Sequence, residues 1–183
     1  MFAIIIGKTC SGKTTIVRKL CEKYNKKSIV TYTSRPPRHG EVDGVTYHFI
    51  SEEGFKSKIN EGFFAEYKVY DTAYGQWFYG SSLEDILNAD DDSVIILTPQ
   101  GYKDIKDKLY NEKHISLYIY ANNSTIKQRL KRRGDNKEEA ERRIKTDNDD
   151  FKDAMMLVDR IVYNNYDSDI DSIVDEVYEL TRG

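Results

Sequence analysis

Short apolar, β-branched runs alternate with stretches of helical spacing almost from end to end of the chain. Ala3–Ile6, Ile29–Thr33, Ser93–Thr98, Ser116–Ala121 and Arg160–Tyr163 read as buried strands of a parallel sheet, because strands covered on both faces are nearly continuously apolar. Between them, Lys13–Tyr24, Tyr102–Tyr110, Ser124–Arg132 and Asp169–Leu180 repeat apolar residues at three- and four-residue intervals, the spacing of a helix with one buried face. Alternating βα units predict an α/β fold, a doubly wound parallel sheet with helices on both faces. Two regions break the rhythm. Residues 35 to 80 are rich in aromatics and carry the short alternating stretches Thr46–Ile50 and Phe63–Tyr70, which predict an inserted antiparallel sheet. Residues 134 to 158 are polar and helical, begin after "RRGDN" and contain the acidic run "TDNDDFKD", which predicts a mobile flap. The expected organisation is one domain, with a core of 1–34, 82–133 and 159–183, an insert at 35–81 and a lid at 134–158.

Composition narrows the field. A chain of 183 residues with 39% hydrophobic content suits one α/β core with small lids. Although 32% of residues are charged, the net charge is only −3, so no global basic field argues for nucleic acid. Cys10 and Cys21 have neither metal-ligand spacing nor the look of a disulfide framework, and a reducing cytoplasmic location is the expectation. The apolar run Phe2–Ile6 is too short to span a bilayer or form a signal-peptide core, and no membrane partner is expected.

The first candidate chemistry lies in "IIIGKTCSGKTT". Gly7-Lys8-Thr9-Cys10-Ser11-Gly12-Lys13-Thr14 satisfies G-x-x-x-x-G-K-[ST], follows a predicted strand and, through Thr15, opens a predicted helix. In that context consecutive backbone N–H groups converge on an anion at a helix N-terminus. Lys13 can reach the outer phosphates of a nucleotide, and the Thr14 hydroxyl can ligate Mg²⁺. Such a cradle binds a nucleotide without naming the reaction.

The second lies in "TYTSRPPRHGEVDGVTYHF". Arg35 and Arg38 fall close together in a proline-stiffened loop, where two guanidinium groups can seat a second phosphate. Thr-Ser-Arg-x-x-Arg-x-Gly-Glu, followed by Gly44, Tyr47 and Phe49, resembles the signature of the guanylate kinase family, and the resemblance runs nearly the whole chain. It implies that Ser34, Arg35, Arg38 and Tyr47 hold the phosphate of an acceptor nucleoside monophosphate, with Glu41 supporting the arginines. Glu66, in "FFAEYKVY", falls where the family sets a carboxylate against the guanine edge, and Thr31 where a hydroxyl helps read the base. "FYGSS" resembles a family Tyr-Tyr-Gly-[Ser/Thr]-Ser, which implies that Tyr79 and Ser81 also meet the acceptor; the longer spacing from Glu66 leaves Tyr74 as a competitor for Tyr79.

Downstream, "QRLKRRGDNKEEAERR" resembles the family lid. The match implies that Arg129, Arg133, Arg142 and Arg143 close over the transferring group beside Lys13, and that Asn164 lies near the donor adenine. The implied reaction is ATP-dependent phosphorylation of GMP or dGMP with Mg²⁺, catalysed by positioning and charge neutralisation. The partners implied are ATP and GMP or dGMP, with the chain as monomer or homodimer. Three departures stand out. Ile96 and Thr98 occupy β-strand positions where many guanylate kinases carry acids, so Thr98 offers the acceptor base a hydroxyl without a charge. Cys10 replaces the usual central glycine of the cradle, and the hairpin before Tyr79 is extended. A related kinase with another phosphorylated acceptor, or a kinase-like module that binds without catalysing, stays open at this level.

Overall fold

Strand β1 (Phe2–Ile6) is buried along its whole length, its alternate side chains feeding two separate cores. The computed structural model describes residues 1–182 apart from 39, 73, 110–112 and 135–136, and apart from the side chains of Lys137 and Glu139. The end of the helix expected to reach Tyr110, and Asp135 and Asn136 at the start of the flap, therefore lie outside the described residues.

In chain order the elements are β1, α1 (Lys13–Tyr24), β2 (Lys27–Ser28), β3 (Tyr32–Thr33), β4 (His48–Phe49), α2 (Glu52–Asn60), β5 (Phe64–Thr72), β6 (Gly75–Ser82) and α3 (Leu83–Leu87). There follow β7 (Ser93–Leu97), α4 (Pro99–Lys106), β8 (His114–Tyr120), α5 (Asn123–Arg133), α6 (Lys137–Asp150), α7 (Ala154–Leu157), β9 (Arg160–Tyr163) and α8 (Ile170–Arg182). A five-stranded parallel sheet in the order β2-β7-β1-β8-β9 forms the core. Ile4, Ile6, Ile95 and Leu97 pack with Tyr102 and Ile105 of α4 on one face. Ala3, Ile5, Leu117 and Val162 pack with Ile16, Val17, Val174 and Val177 of α1 and α8 on the other. The doubly wound parallel sheet expected from the periodicity is what forms. Among the described residues no helix is long and apolar enough to cross a membrane.

The second sheet has the order β4-β3-β6-β5 and is mixed: β3 and β4 run parallel, and the other pairs are antiparallel. Here the expected strand Ile29–Thr33 is corrected. The Ile29 N–H still bonds Val94 O at 2.8 Å, continuing β2 along β7, but Tyr32 and Thr33 pair with Gly80 and Tyr79 in the other sheet. One apolar run thus serves as the bridge between two sheets, which periodicity alone cannot distinguish from one strand. Helix α2 was not anticipated. Ser51 caps it by accepting the Gly54 N–H at 3.0 Å, Glu52 and Glu53 occupy its first turn, and Phe55 anchors it beneath the second sheet. Helix α4 starts earlier than its apolar spacing suggests, because Thr98 caps it and Pro99 fills its first turn.

Candidate active site

The segment between β1 and α1 lies at the carboxyl end of the central strand, flanked by β7 and β8, where open α/β sheets form their ligand crevice. Its shape is set by small residues. Gly12 has φ of 100°, and a Cβ there would stand 2.2 Å from Asn164 Nδ2; a Cβ at Gly7 would stand 2.6 Å from Ser11 Oγ. Cys10 takes a left-handed φ of 53°, the conformation for which a glycine would be the easier choice, so the expected cradle turn forms despite that substitution. Lys13 Nζ donates to the carbonyls of Gly7 at 2.5 Å and Lys8 at 2.8 Å, which curls the ammonium back over the loop. Burial pushes its pKa down to about 8, although the Asp147 carboxylate acts in the opposite direction.

The cradle is braced from below. Asn164 is buried, its Nδ2 donating to Ser11 O at 2.8 Å and its Oδ1 accepting from Arg129 at 3.0 Å. Arg129 also donates to Cys10 O at 3.1 Å. Asn164, expected beside the donor base, therefore spends both ends of its amide on holding the loop. Its side chain nevertheless borders a cavity of about 460 Å³ lined by Cys10, Gly12, Lys13, Thr14, Thr15, Arg129 and Arg133 among others.

A second cavity, of about 230 Å³, opens on the other side of Lys13, with Gly7, Thr9, Thr31, Arg38, Tyr47, Glu66, Tyr79, Ser81, Thr98, Arg142 and Arg143 on its walls. The β5–β6 hairpin supplies one wall by simple alternation. Glu66, Lys68 and Tyr70 pair across the ladder with Ser81, Tyr79 and Trp77, and all six face the cavity. Tyr74, the competitor for Tyr79, lies at the hairpin tip, 67% exposed and stacked on Trp77, so Tyr79 is the tyrosine that the structure brings to the cavity. Lys68, Tyr70 and Trp77 were missed; the two-residue period from Glu66 was the signal that could have found them.

At one end the cations gather. Arg35 is only 2% exposed and forms a bidentate pair with Glu41, at 2.7 and 2.9 Å, while its Nε donates to the Tyr79 hydroxyl at 3.2 Å. It lies 5.3 Å from the centre of the Tyr47 ring. Arg35 thus stands behind the cavity wall and orients Tyr47 and Tyr79, leaving Arg38 as the cation from this loop that lines the cavity itself. Burial, together with the charges of Arg35, Arg143 and Arg133, pushes the Arg38 guanidinium below its ordinary pKa, so a bound anion would relieve mutual repulsion. The Glu41 carboxyl is shifted down as well: burial opposes this, but the Arg35 hydrogen bonds and the Arg38 backbone N–H hold it below the usual range. Ser34, expected on the acceptor phosphate, instead accepts the Phe78 N–H at 3.0 Å and stitches the loop to β6.

At the opposite end sits Glu66. Burial pushes its carboxyl above the usual range, and Ser81 Oγ donates to its Oε1 at 2.6 Å. Its Oε2 lies over Gly101, where a Cβ would approach to 2.6 Å. Gly101 also gives its N–H to Thr98 Oγ1 at 3.0 Å, so Thr98 is both helix cap and cavity wall. We expect Gly101→Ala to swing the Glu66 carboxylate aside and to weaken about tenfold a ligand that this cavity holds through it, while a ligand of the 460 Å³ cavity binds as before. Calorimetric titration with a ligand of each cavity checks this.

A five-stranded parallel sheet with a cradle at its central strand, a cationic second chamber and an overlying helical arm defines the class of P-loop phosphotransferases. The guanylate kinase family profile matches residues 2–182. The chain is 33% identical over 179 residues to a guanylate kinase of Clostridium perfringens, covering 97% of this chain and 79% of that one. It is 33% identical over 158 residues to one of Campylobacter jejuni, covering 82% and 74% respectively. In structure it resembles guanylate kinase from Anaplasma phagocytophilum with a TM-score of 0.68 at 23% identity, covering 100% of this chain and 84% of that one. The chain belongs to the guanylate kinase family.

Proposed function

We propose that the chain moves the terminal phosphoryl group of ATP to GMP or dGMP, with the 460 Å³ cavity as donor site and the 230 Å³ cavity as acceptor site. The observation that carries this is the place of Lys13, which lines both cavities and so stands where a phosphoryl group passes from one to the other. An intact cradle and cations on both sides of it speak against a module that only binds.

In this reading the cradle amides and Lys13 hold the donor phosphates, and Arg129 and Asn164 keep the loop in shape from behind. Arg133, on the donor side, and Arg142 and Arg143, on the acceptor side, spread the charge that develops on the moving group. Arg38, Tyr47 and Tyr79 take the acceptor phosphate, and Arg35, locked to Glu41, fixes the two rings. An oxygen of the acceptor phosphate is the nucleophile, so no side chain needs to form a covalent intermediate. Mg²⁺ fits the residues present: the exposed Thr14 hydroxyl borders the donor cavity, and with Ile96 on β7 and Thr98 just after it in place of acids the rest of its shell falls to phosphate oxygens and water. When bound, the ion would neutralise charge on the outer phosphates.

Glu66 is the residue for base choice. A carboxylate accepts from adjacent N1–H and 2-amino donors, which guanine has and adenine lacks. Thr31, Ser81 and Thr98 line the same cavity as hydroxyls. The test is Glu66→Gln: kcat/KM for GMP should fall about 10²-fold and that for AMP should hardly change. An equal loss for both acceptors would remove Glu66 from base reading.

A further inference from the structure

The lid helix α6 is tied down at three successive points. Asp147 Oδ2 accepts the Thr9 N–H at 2.5 Å, Asn148 Oδ1 accepts from Lys8 Nζ at 2.7 Å, and Asp150 Oδ2 accepts from Lys68 Nζ at 2.5 Å. The first and second fasten the arm to the cradle, and the third fastens it to the β5–β6 hairpin. Of the three, Asp147 has the unusual position. It lines the acceptor-side cavity together with Thr9 and with Lys13, which also borders the other chamber. Burial pushes its carboxyl above the usual range and the negative charge of Asp150 adds to this, while the Thr9 N–H and the positive charges of Lys13 and Lys8 pull the other way. A carboxylate oxygen that accepts a cradle N–H beside the cradle lysine does there what a phosphate oxygen would do.

The phosphoryl group in transit needs this same ground. It must lie between donor and acceptor, within reach of Lys13, and Thr9 offers the cradle N–H on the acceptor side of that lysine. We propose that Asp147 is a specificity-determining residue of the donor site: its carboxylate occupies the Thr9 amide and the space beside Lys13 that the third phosphate of a nucleoside triphosphate takes. A triphosphate binds by displacing it. A diphosphate, one phosphate shorter, leaves it in place. Asp147 therefore sets the ratio of triphosphate to diphosphate affinity, a conclusion that rests on the kinase reading of the two cavities.

The test is calorimetric titration of the whole protein with Mg-ATP and with Mg-ADP, using the unaltered chain, Asp147→Asn and Asn148→Ala. Asp147→Asn removes the competing charge and should tighten ATP about tenfold while changing ADP less than about twofold. Asn148→Ala loosens the arm from Lys8 without vacating the Thr9 amide, and should change both affinities by one common factor. Equal changes for ATP and ADP in Asp147→Asn, or weaker ATP binding, would overturn the role of Asp147 while leaving the kinase reading intact. An unaltered chain that binds neither nucleotide would overturn the kinase reading and this proposal with it.

Discussion

Lys13→Met lowers kcat by about 10³-fold, with little change in thermal stability, because the ammonium works on the phosphates rather than on the core. Among the described residues its hydrogen bonds run to the carbonyls of Gly7 and Lys8, both within the cradle loop itself, so its loss unties no contact between elements. The same residue predicts a pH dependence for donor binding. Burial has pushed its pKa down to about 8, so above that pH the free lysine is neutral and must take up a proton to meet the phosphates. ATP affinity should thus be constant below about pH 8 and fall as pH rises beyond it, a trend that Lys13→Met should lose. Calorimetry from pH 7 to 9.5 reads both effects.

The second large effect is on stability as well as activity. Arg35→Ala should destabilise the fold by about 3–5 kcal/mol, because it strands Glu41 with its remaining Arg38 amide contact after losing a bidentate partner. Acceptor KM should rise in the same variant, since the Tyr79 hydroxyl loses the Nε–H that orients it and the Tyr47 ring loses its cation. The pH trend has a definite sign. Glu41 has a folded-state pKa below its unfolded one, so its stabilisation is complete above the unfolded value and is lost as pH falls through the folded value. Chemical denaturation at neutral and acid pH should show the gap between the unaltered chain and Glu41→Gln narrowing toward acid.

Much of the core was legible because the periodicities are strong. Phe2–Ile6 is buried on both sides as its unbroken apolar run demands, and the cradle follows from glycine spacing that only a tight βα turn explains. The second sheet was read only in part. Tyr32 and Thr33 end the run that starts at Ile29 just after β2, yet pair elsewhere, since what decides their partner is the fold of β6 more than forty residues later. Side-chain roles split along a similar line. Arg38, Tyr47, Glu66, Tyr79 and Ser81 reach the cavity as their motifs suggested, whereas Ser34 and Asn164 are taken up by the backbone of neighbouring segments. Asp147 could not be singled out within "TDNDDFKD": any of its acids suits a solvated helix face, and only the docking of α6 chooses the one that meets Thr9.

The most direct test of the whole account is ADP production from Mg-ATP across GMP, dGMP, AMP, CMP, UMP and dTMP. Turnover with GMP or dGMP is expected at a kcat/KM about 10²-fold or more above that for any other acceptor, because Glu66 offers its carboxylate to two adjacent donors that only guanine presents among these bases. Comparable turnover with AMP, or transfer confined to a pyrimidine nucleotide, would contradict it.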